Sequence, residues 1–323
     1  MADLPGWGEG TAHADEDALM AGLAAIVGRT SAGIPRGIGD DAALLAPDLV
    51  WTVDAQVDGV HFRRDLSSPA DVGWKALAVN LSDVAAMGAM PIAALVSIVI
   101  GDGDASSIEP IYTGLEVCSR LYDCPIVGGD VARGSGLALS ISVLGRAPVD
   151  PPGRDGAQPG DVIAVTGTLG ESAAGLAALL DPTLRDLPGA DECIERHRRP
   201  HPRLVDGALL APYAHAMMDV SDGLATDLPR LARRSGVALT IDLDALPMHD
   251  DVHAIARTLR RTPGVFAATG GEDYELVVAL PAEAIAACGV PLTVIGRVEA
   301  GPVGVRFIGT GADEALRGWD HLA

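Results

Sequence analysis

Six aspartates in this chain sit where an ordinary fold has little use for a bare carboxylate. Asp41 lies in "GIGDDAALL" (37–45) just before an apolar run, and Asp54 follows the strand-like "LVWTV". Asp83 sits inside an apolar helical stretch, Asp130 follows "PIVGG", Asp219 ends "AMM", and Asp222 opens the helix of "SDGL". Strand C-termini and helix N-termini are where α/β folds place phosphate ligands and their metals. A buried carboxylate is costly unless a cation compensates it. N-capping would account for Ser221 or Asp222 alone, and an arginine partner would account for Asp83 alone. Repeated along the chain, the pattern points to a shared cation cluster. Mg²⁺ takes oxygen ligands, commonly one or two carboxylates plus substrate phosphates, so this many acids imply several ions. Such ions neutralise the charge of a phosphoryl group in transfer.

Composition narrows the partners. The 323 residues carry a formal net charge of -21 and are 48% hydrophobic, enough for two domains each with its own core. The charge argues against nucleic acid and anionic membrane as partners, because the electrostatic term would be repulsive. Lys75, in "GWKALAV", is the only lysine. It is not part of a Gly-Lys-Ser/Thr loop, so P-loop chemistry is excluded. Metals would therefore carry most of the phosphate neutralisation, with Arg133, Arg146 and Arg154 nearest the glycine-rich loops. Cys118, Cys124, Cys193 and Cys288 form no CxxC pair and read as inert thiols in a reducing cytosol. No signal-type segment and no apolar run of about 20 residues appears, so the expectation is a soluble cytoplasmic protein.

These residues need a scaffold. Residues 1–36 read as a flexible lead-in plus a short helix, "DALMAGLAAIVG". Strands are expected at 49–55 and 91–100, with helices at 69–87 and 107–122, then strands in "PIVGGD" and "LALSISVLGRA". In the first helix Trp74, Leu77, Ala78, Leu81 and Val84 form one apolar stripe, and the side bearing Asp83 is largely apolar too, which predicts burial all round. "PVDPPGRDGAQPGD" (148–161) is the domain boundary. Beyond it "DVIAVTG", "HAMMDV", "VALTIDL", "YELVVALP" and "PLTVIGRV" read as strands, with helices in "ESAAGLAALL" and after "SDG". The pattern is two successive α/β or α+β domains. Other residues stay open at this level. His61 is a core histidine or a ligand contact, and "RHRRPHPRL" (196–204) reads as a solvated helix start. Glu272 in "GGEDYEL" belongs to a hairpin turn or binds a cationic ring. Trp319 packs the C-terminus or stacks on a ligand.

Taken together, "GIGDDAALL", "VDGVHF", "WKALAVNLSDVAAMGAMP", "VGGDVARG", "PGDVIAVTGTLGESAAGLA", "RHRRPHPR", "MDVSDGLATDL" and "TGGEDYEL" resemble the thiamine-monophosphate kinase family, in its order and over nearly the whole chain. The resemblance implies the two-domain α/β (α+β) fold of the aminoimidazole-ribonucleotide-synthetase-like superfamily. Its N-terminal mixed-sheet domain (1–149) would bind ATP and metal and pair in a homodimer, and its C-terminal α/β domain (150–323) would complete the active site. It implies ATP-dependent phosphorylation of thiamine monophosphate to thiamine diphosphate with Mg²⁺, by direct in-line transfer. Carried over by position, Asp41, Thr52, Asp54, Asp83, Asp130, Asp219 and Asp222 are the expected metal ligands, with Asp130, Asp219 and Asp222 catalytic. Tyr112, Gly129, Asp130, Arg154 and Ser221 are the expected nucleotide contacts, and His61, Glu272 and Trp319 the expected substrate contacts. Val53 and the pair Val131-Ala132 depart from the family's hydroxyl-rich pattern but leave the acids in place. Two rivals remain. A selenophosphate synthetase would carry a reactive Cys near a glycine-rich N-terminus, which is absent. A non-catalytic acidic cation binder would explain the charge but not the "GGD", "SDG" and "GGEDYEL" loops.

Overall fold

The computed structural model describes residues 16–27, 31, 33–101, 104–147 and 150–319, so most of the expected lead-in lies outside the described residues. The first sheet contains β1 (Ala43–Leu45), β2 (Leu49–Val57), β3 (Met90–Ile100), β4 (Ile126–Arg133) and β5 (Ala138–Arg146), in the order β1-β2-β5-β3-β4. The second contains β6 (Val162–Val165), β7 (Ala216–Asp219), β8 (Ala238–Asp242), β9 (Leu276–Leu280), β10 (Thr293–Glu299) and β11 (Gly304–Ile308), in the order β11-β8-β10-β6-β9-β7. Both are mixed: β3 runs parallel to β4 and β11 to β8, while the other pairs are antiparallel. The proline- and glycine-rich segment separates the two sheets in the chain.

The helices are α1 (Glu16–Val27), α2 (Pro69–Ala86), α3 (Ile108–Leu121), α4 (Glu171–Leu180), α5 (Ala190–Arg198), α6 (Leu204–Leu210), α7 (Leu224–Ser235), α8 (Asp250–Thr258) and α9 (Pro263–Thr269). Expected elements match observed ones to within a few residues at each end. The sequence reading did not separate β1, α5, α6, α8, α9 and β11, all of them segments of nine residues or fewer. Among the described residues no helix is long and apolar enough to cross a membrane.

α2 holds the two halves together. Ser68 caps it by accepting the Asp71 N–H at 3.2 Å, Asp71 accepts the Ser68 N–H at 3.1 Å, and Pro69 pre-sets the first turn. The helix lies against β2 and β5 on one side and against α3, α6 and β7 on the other, which is why its residues are apolar all round. Leu77, Leu81 and Met87 are sealed in a core that runs on into Met217 and Val278 of the second sheet. Each such side chain stabilises the fold by roughly 1.5–3 kcal/mol. A Cβ on Gly73 would stand 1.9 Å from the Ile111 carbonyl oxygen, and one on Gly114 1.8 Å from that of Ala70. The α2–α3 crossing therefore depends on glycine at both positions.

The faces of the first sheet differ. Thr52 and Gln56 point inward and are buried, whereas Trp51 and Val53 point outward and are 52% and 62% exposed. Leu95 on β3 is also exposed.

The cluster at 196–204, expected as a solvated helix start, is instead a seam between the halves. Arg199 pairs with Asp71 at 2.7 Å and the Trp74 indole N–H donates to the Pro200 carbonyl at 3.0 Å across the halves, while Arg203 Nε donates to buried Glu275 at 2.7 Å within the C-terminal half. Carboxylates on other elements draw these arginines inward, and local sequence does not reveal those partners.

Candidate active site

The end of α2, the loop before β1 and the end of β7 converge. Carboxylate oxygens of Asp41, Asp83 and Asp219 all lie within 4.8 Å of one another. Thr52, inward on β2, donates its hydroxyl to Asp83 Oδ2 at 2.5 Å, and Ser82 donates to Asp219 Oδ2 at 2.6 Å. Burial, then the charges of Asp54, Asp219 and Asp41, holds Asp83 well above the usual carboxylate range. Asp219 is raised likewise, by burial and then by Asp41. The Thr52 and Ser82 hydroxyls oppose these shifts without cancelling them. Asp54 lines the same cleft, its backbone N–H fixed by Asn80 Oδ1 at 2.9 Å.

Two arginines border the acids. Arg154 donates to Asp41 Oδ1 at 2.6 Å, and Arg230 to Asp222 Oδ2 at 2.5 Å. Asp41 Oδ2 and Arg154 Nε remain buried without a hydrogen-bond partner. Asp40 acts on the backbone instead. Its Oδ1 accepts the N–H of Arg154 at 3.2 Å, fixing that loop, and burial followed by Asp41 raises it to about 6. The "SDG" turn is held from below by Asp227, whose Oδ2 accepts the N–H groups of Ser221 and Asp222 at 3.1 Å each. Burial, then Asp222, raises Asp227 to about 8. Hard oxygen donors, mutual repulsion and an orphaned buried carboxylate oxygen together fit a divalent-cation site.

The cleft has a volume of about 1190 Å³, and Asp41, Thr52, Asp54, His61, Asp83, Arg154, Asp219, Ser221, Asp222, Glu272 and Trp319 all line it. Ring nitrogen Nδ1 of His61 accepts the Val57 N–H at 3.1 Å, closing the turn after β2. Trp319 is 51% exposed, and its backbone N–H donates to the Asp222 carbonyl at 3.0 Å, so the C-terminal segment runs along the "SDG" turn. Glu272 donates its own N–H to the Ser221 carbonyl at 2.7 Å, and its carboxylate meets the Lys75 ammonium at 2.8 Å.

Three expected residues stand apart. Asp130 and Gly129 on β4 and Tyr112 on α3 do not line this cleft. β4 is three strands from β2, about 14 Å across the sheet. Asp130 pairs with Ser97, which pairs with Ser140, which pairs with Ala55. That row alternates with Thr52 and so belongs to the outer face. Arg146 also stays away, pairing with Asp48 at 3.1 Å. The residues not foreseen are Ser82, Asp227, Arg230, His197 and the role of Lys75. A solitary lysine in an apolar helix was the one signal for a buried ion pair; Ser82 and His197 depend on contacts distant in sequence, and Asp227 and Arg230 on how the turn before α7 folds back on its first turns.

Residues 39–147 match the family described as AIR synthase related protein, N-terminal domain, and residues 158–309 its C-terminal domain. The chain is 40% identical to the thiamine-monophosphate kinase of Escherichia coli (strain K12), over 89% of this chain and 92% of that protein. It is 38% identical to that of Aquifex aeolicus (strain VF5), over 88% and 92%. Among solved structures, AaThiL complexed with AMPPCP and TMP superposes with a TM-score of 0.84 at 35% identity, covering 95% of this chain and 97% of that one.

Proposed function

The chain belongs to the thiamine-monophosphate kinase family, and from that premise we propose that it phosphorylates thiamine monophosphate to thiamine diphosphate with ATP. The observation that carries this reading is the meeting of Asp41, Asp83 and Asp219 in the cleft that Glu272, His61 and Trp319 also line. Asp41, Thr52, Asp54, Asp83, Asp219 and Asp222, with Asp130, would hold Mg²⁺, which when bound supplies charge neutralisation for the phosphates. The protein's own work is positioning and electrostatics. Ser82 and Thr52 orient Asp219 and Asp83, Asp227 shapes the "SDG" turn, and Arg154 and Ser221 face the nucleotide. The acceptor phosphate is already anionic at neutral pH, so in-line transfer requires no strong base.

The homodimer is part of the same proposal. The outer face of the first sheet exposes Trp51, Val53 and Leu95, and a second copy would bury that apolar area. Asp130 lies on this face, Gly129 beside it on the same strand, and Tyr112 on the adjoining α3, so pairing would carry them toward the cleft of the second copy. The domain division at 149/150 and a cytoplasmic location belong to this reading as well.

A coupled assay with ATP, Mg²⁺ and thiamine monophosphate tests it, with thiamine as the control acceptor. ADP release that requires thiamine monophosphate is expected. Phosphorylation of thiamine itself, and not of its monophosphate, would overturn the substrate assignment.

A further inference from the structure

Lys75 is 4% exposed, and α2 carries it from the N-terminal half into contact with Glu272 of the C-terminal half. Glu272 is held in an unusual pose, with a backbone φ of +66° and its N–H tied to the Ser221 carbonyl. A glutamate adopts that left-handed conformation only when its surroundings impose it. Its side chain is deep in the cleft yet 27% exposed, so a ligand can reach it.

The charges around this carboxylate decide what it can recognise. Burial alone would raise Glu272, but Lys75 and then His197 outweigh it and hold the carboxyl below its ordinary value, so it stays ionised. His197 Nδ1 lies 3.4 Å from Glu272 Oε2 and 3.0 Å from the Ser172 hydroxyl. Burial, then Lys75, pushes this imidazole down to about 4, so it is neutral at physiological pH. One ammonium therefore faces one carboxylate at 2.8 Å, and the pair offers a ligand little net charge. Thiamine monophosphate presents two chemically distinct rings: a cationic thiazolium, and an aminopyrimidine bearing N–H donors. A neutralised carboxylate is poorly suited to the first and well suited to the second.

We propose that Lys75 is a positioning residue for the acceptor: it holds Glu272 through Oε1 and cancels its charge, so that Oε2 accepts a hydrogen bond from the aminopyrimidine rather than serving as counter-ion to the thiazolium. The proposal rests on the reading of Glu272 as a substrate contact and changes the chemistry of that contact. It also gives a purpose to the single lysine of the chain, since a methionine of similar length would pack in α2 without the ion pair.

Steady-state kinetics in thiamine monophosphate, at saturating Mg-ATP, separate the possibilities by sign. With Lys75 as positioner, Lys75→Met raises KM at least about tenfold and leaves kcat within about threefold, while Lys75→Arg recovers most of the loss. With Glu272 as a counter-ion, Lys75→Met uncovers the negative charge and KM falls, which overturns the proposal. A lower melting temperature with unchanged KM marks a purely structural lysine and overturns it too. Glu272→Ala, which removes the accepting oxygens that a glutamine would keep, checks the underlying reading. Unchanged KM in that variant refutes the substrate contact itself, whereas raised KM there with unchanged or lowered KM in Lys75→Met refutes only the role of Lys75. If Lys75→Met does not fold, the double variant Lys75→Met/Glu272→Gln leaves no unpaired charge and carries the test. Its KM is expected within about twofold of Glu272→Gln alone, and a further tenfold rise would mean that Lys75 acts independently of Glu272.

Discussion

Replacing Asp219 by Asn should make the metal-free protein more stable and the enzyme inactive. The substitution is nearly isosteric, and the asparagine oxygen still accepts the Ser82 hydroxyl bond seen at 2.6 Å. What changes is charge. Two full charges separated by the 4.8 Å limit of this cluster repel by about 3.5 kcal/mol at an effective dielectric of about 20. Asp219 faces both Asp41 and Asp83, but Arg154, 2.6 Å from Asp41, offsets part of the field. Burial also keeps part of the charge off by raising Asp83 and Asp219. The net relief expected at pH 8 is about 1–2 kcal/mol, a rise in melting temperature of about 2–8 °C. The sign with pH follows from the raised values. A folded-state carboxyl that binds its proton more tightly than the unfolded chain loses stability as pH rises, so the gain should shrink toward pH 5. Losing an outer-shell partner costs a metal site about 10–100-fold in affinity, so losing a direct ligand should cost at least about 100-fold in Mg²⁺ affinity and in turnover. Differential scanning fluorimetry with and without Mg²⁺, a calorimetric Mg²⁺ titration and the coupled assay measure all three quantities. A variant that melts no higher than wild type while binding Mg²⁺ normally would refute both the crowding and the ligand assignment.

Arg154→Met removes the cation now paired with Asp41; Mg²⁺ binding without nucleotide should tighten, while KM for ATP should rise several-fold, and weaker Mg²⁺ binding would contradict a competing role for the arginine. Asp273 accepts the N–H groups of Gly170 (2.6 Å) and Ser172 (3.1 Å) at the start of α4, yet burial raises it to about 7. Its contribution to stability should be full below about pH 4 and fall as pH rises through about 7, so Asp273→Asn should flatten the pH–stability profile there; an unchanged slope would assign the profile to other groups. Leu95→Glu puts a charge on the outer sheet face at a position that does not line the cleft. Analytical ultracentrifugation should show a shift from dimer to monomer together with lost turnover, and a fully active monomer would remove the need for Asp130, Gly129 and Tyr112 from a second copy.

Much of this molecule is legible locally. The apolar stripe and the apolar opposite side of residues 69–87 announced a helix buried on every side, and α2 lies between two layers because only such a position suits those residues. Asp219 and Asp222 were recognisable because strand ends and helix starts are themselves sequence signals, whereas Asp54, expected at a strand end, lies inside β2, which runs on to Val57. The order of eight motifs along the chain was sufficient to indicate the family. Only the folded chain decided which acids meet. Asp41, Asp83 and Asp219 are separated by up to 178 residues (219 − 41), and nothing in their local sequence brings them within 4.8 Å. The sheet order placed Asp130 on an outer face, three strands from Thr52, although its "GGD" context looks as apt as any other. The same tertiary packing turned the arginines of 196–204 inward and gave Lys75 its glutamate. The physical reason is common to all of these: periodicity and capping are encoded within a few residues, whereas charge pairing is set by whatever the long connections bring near.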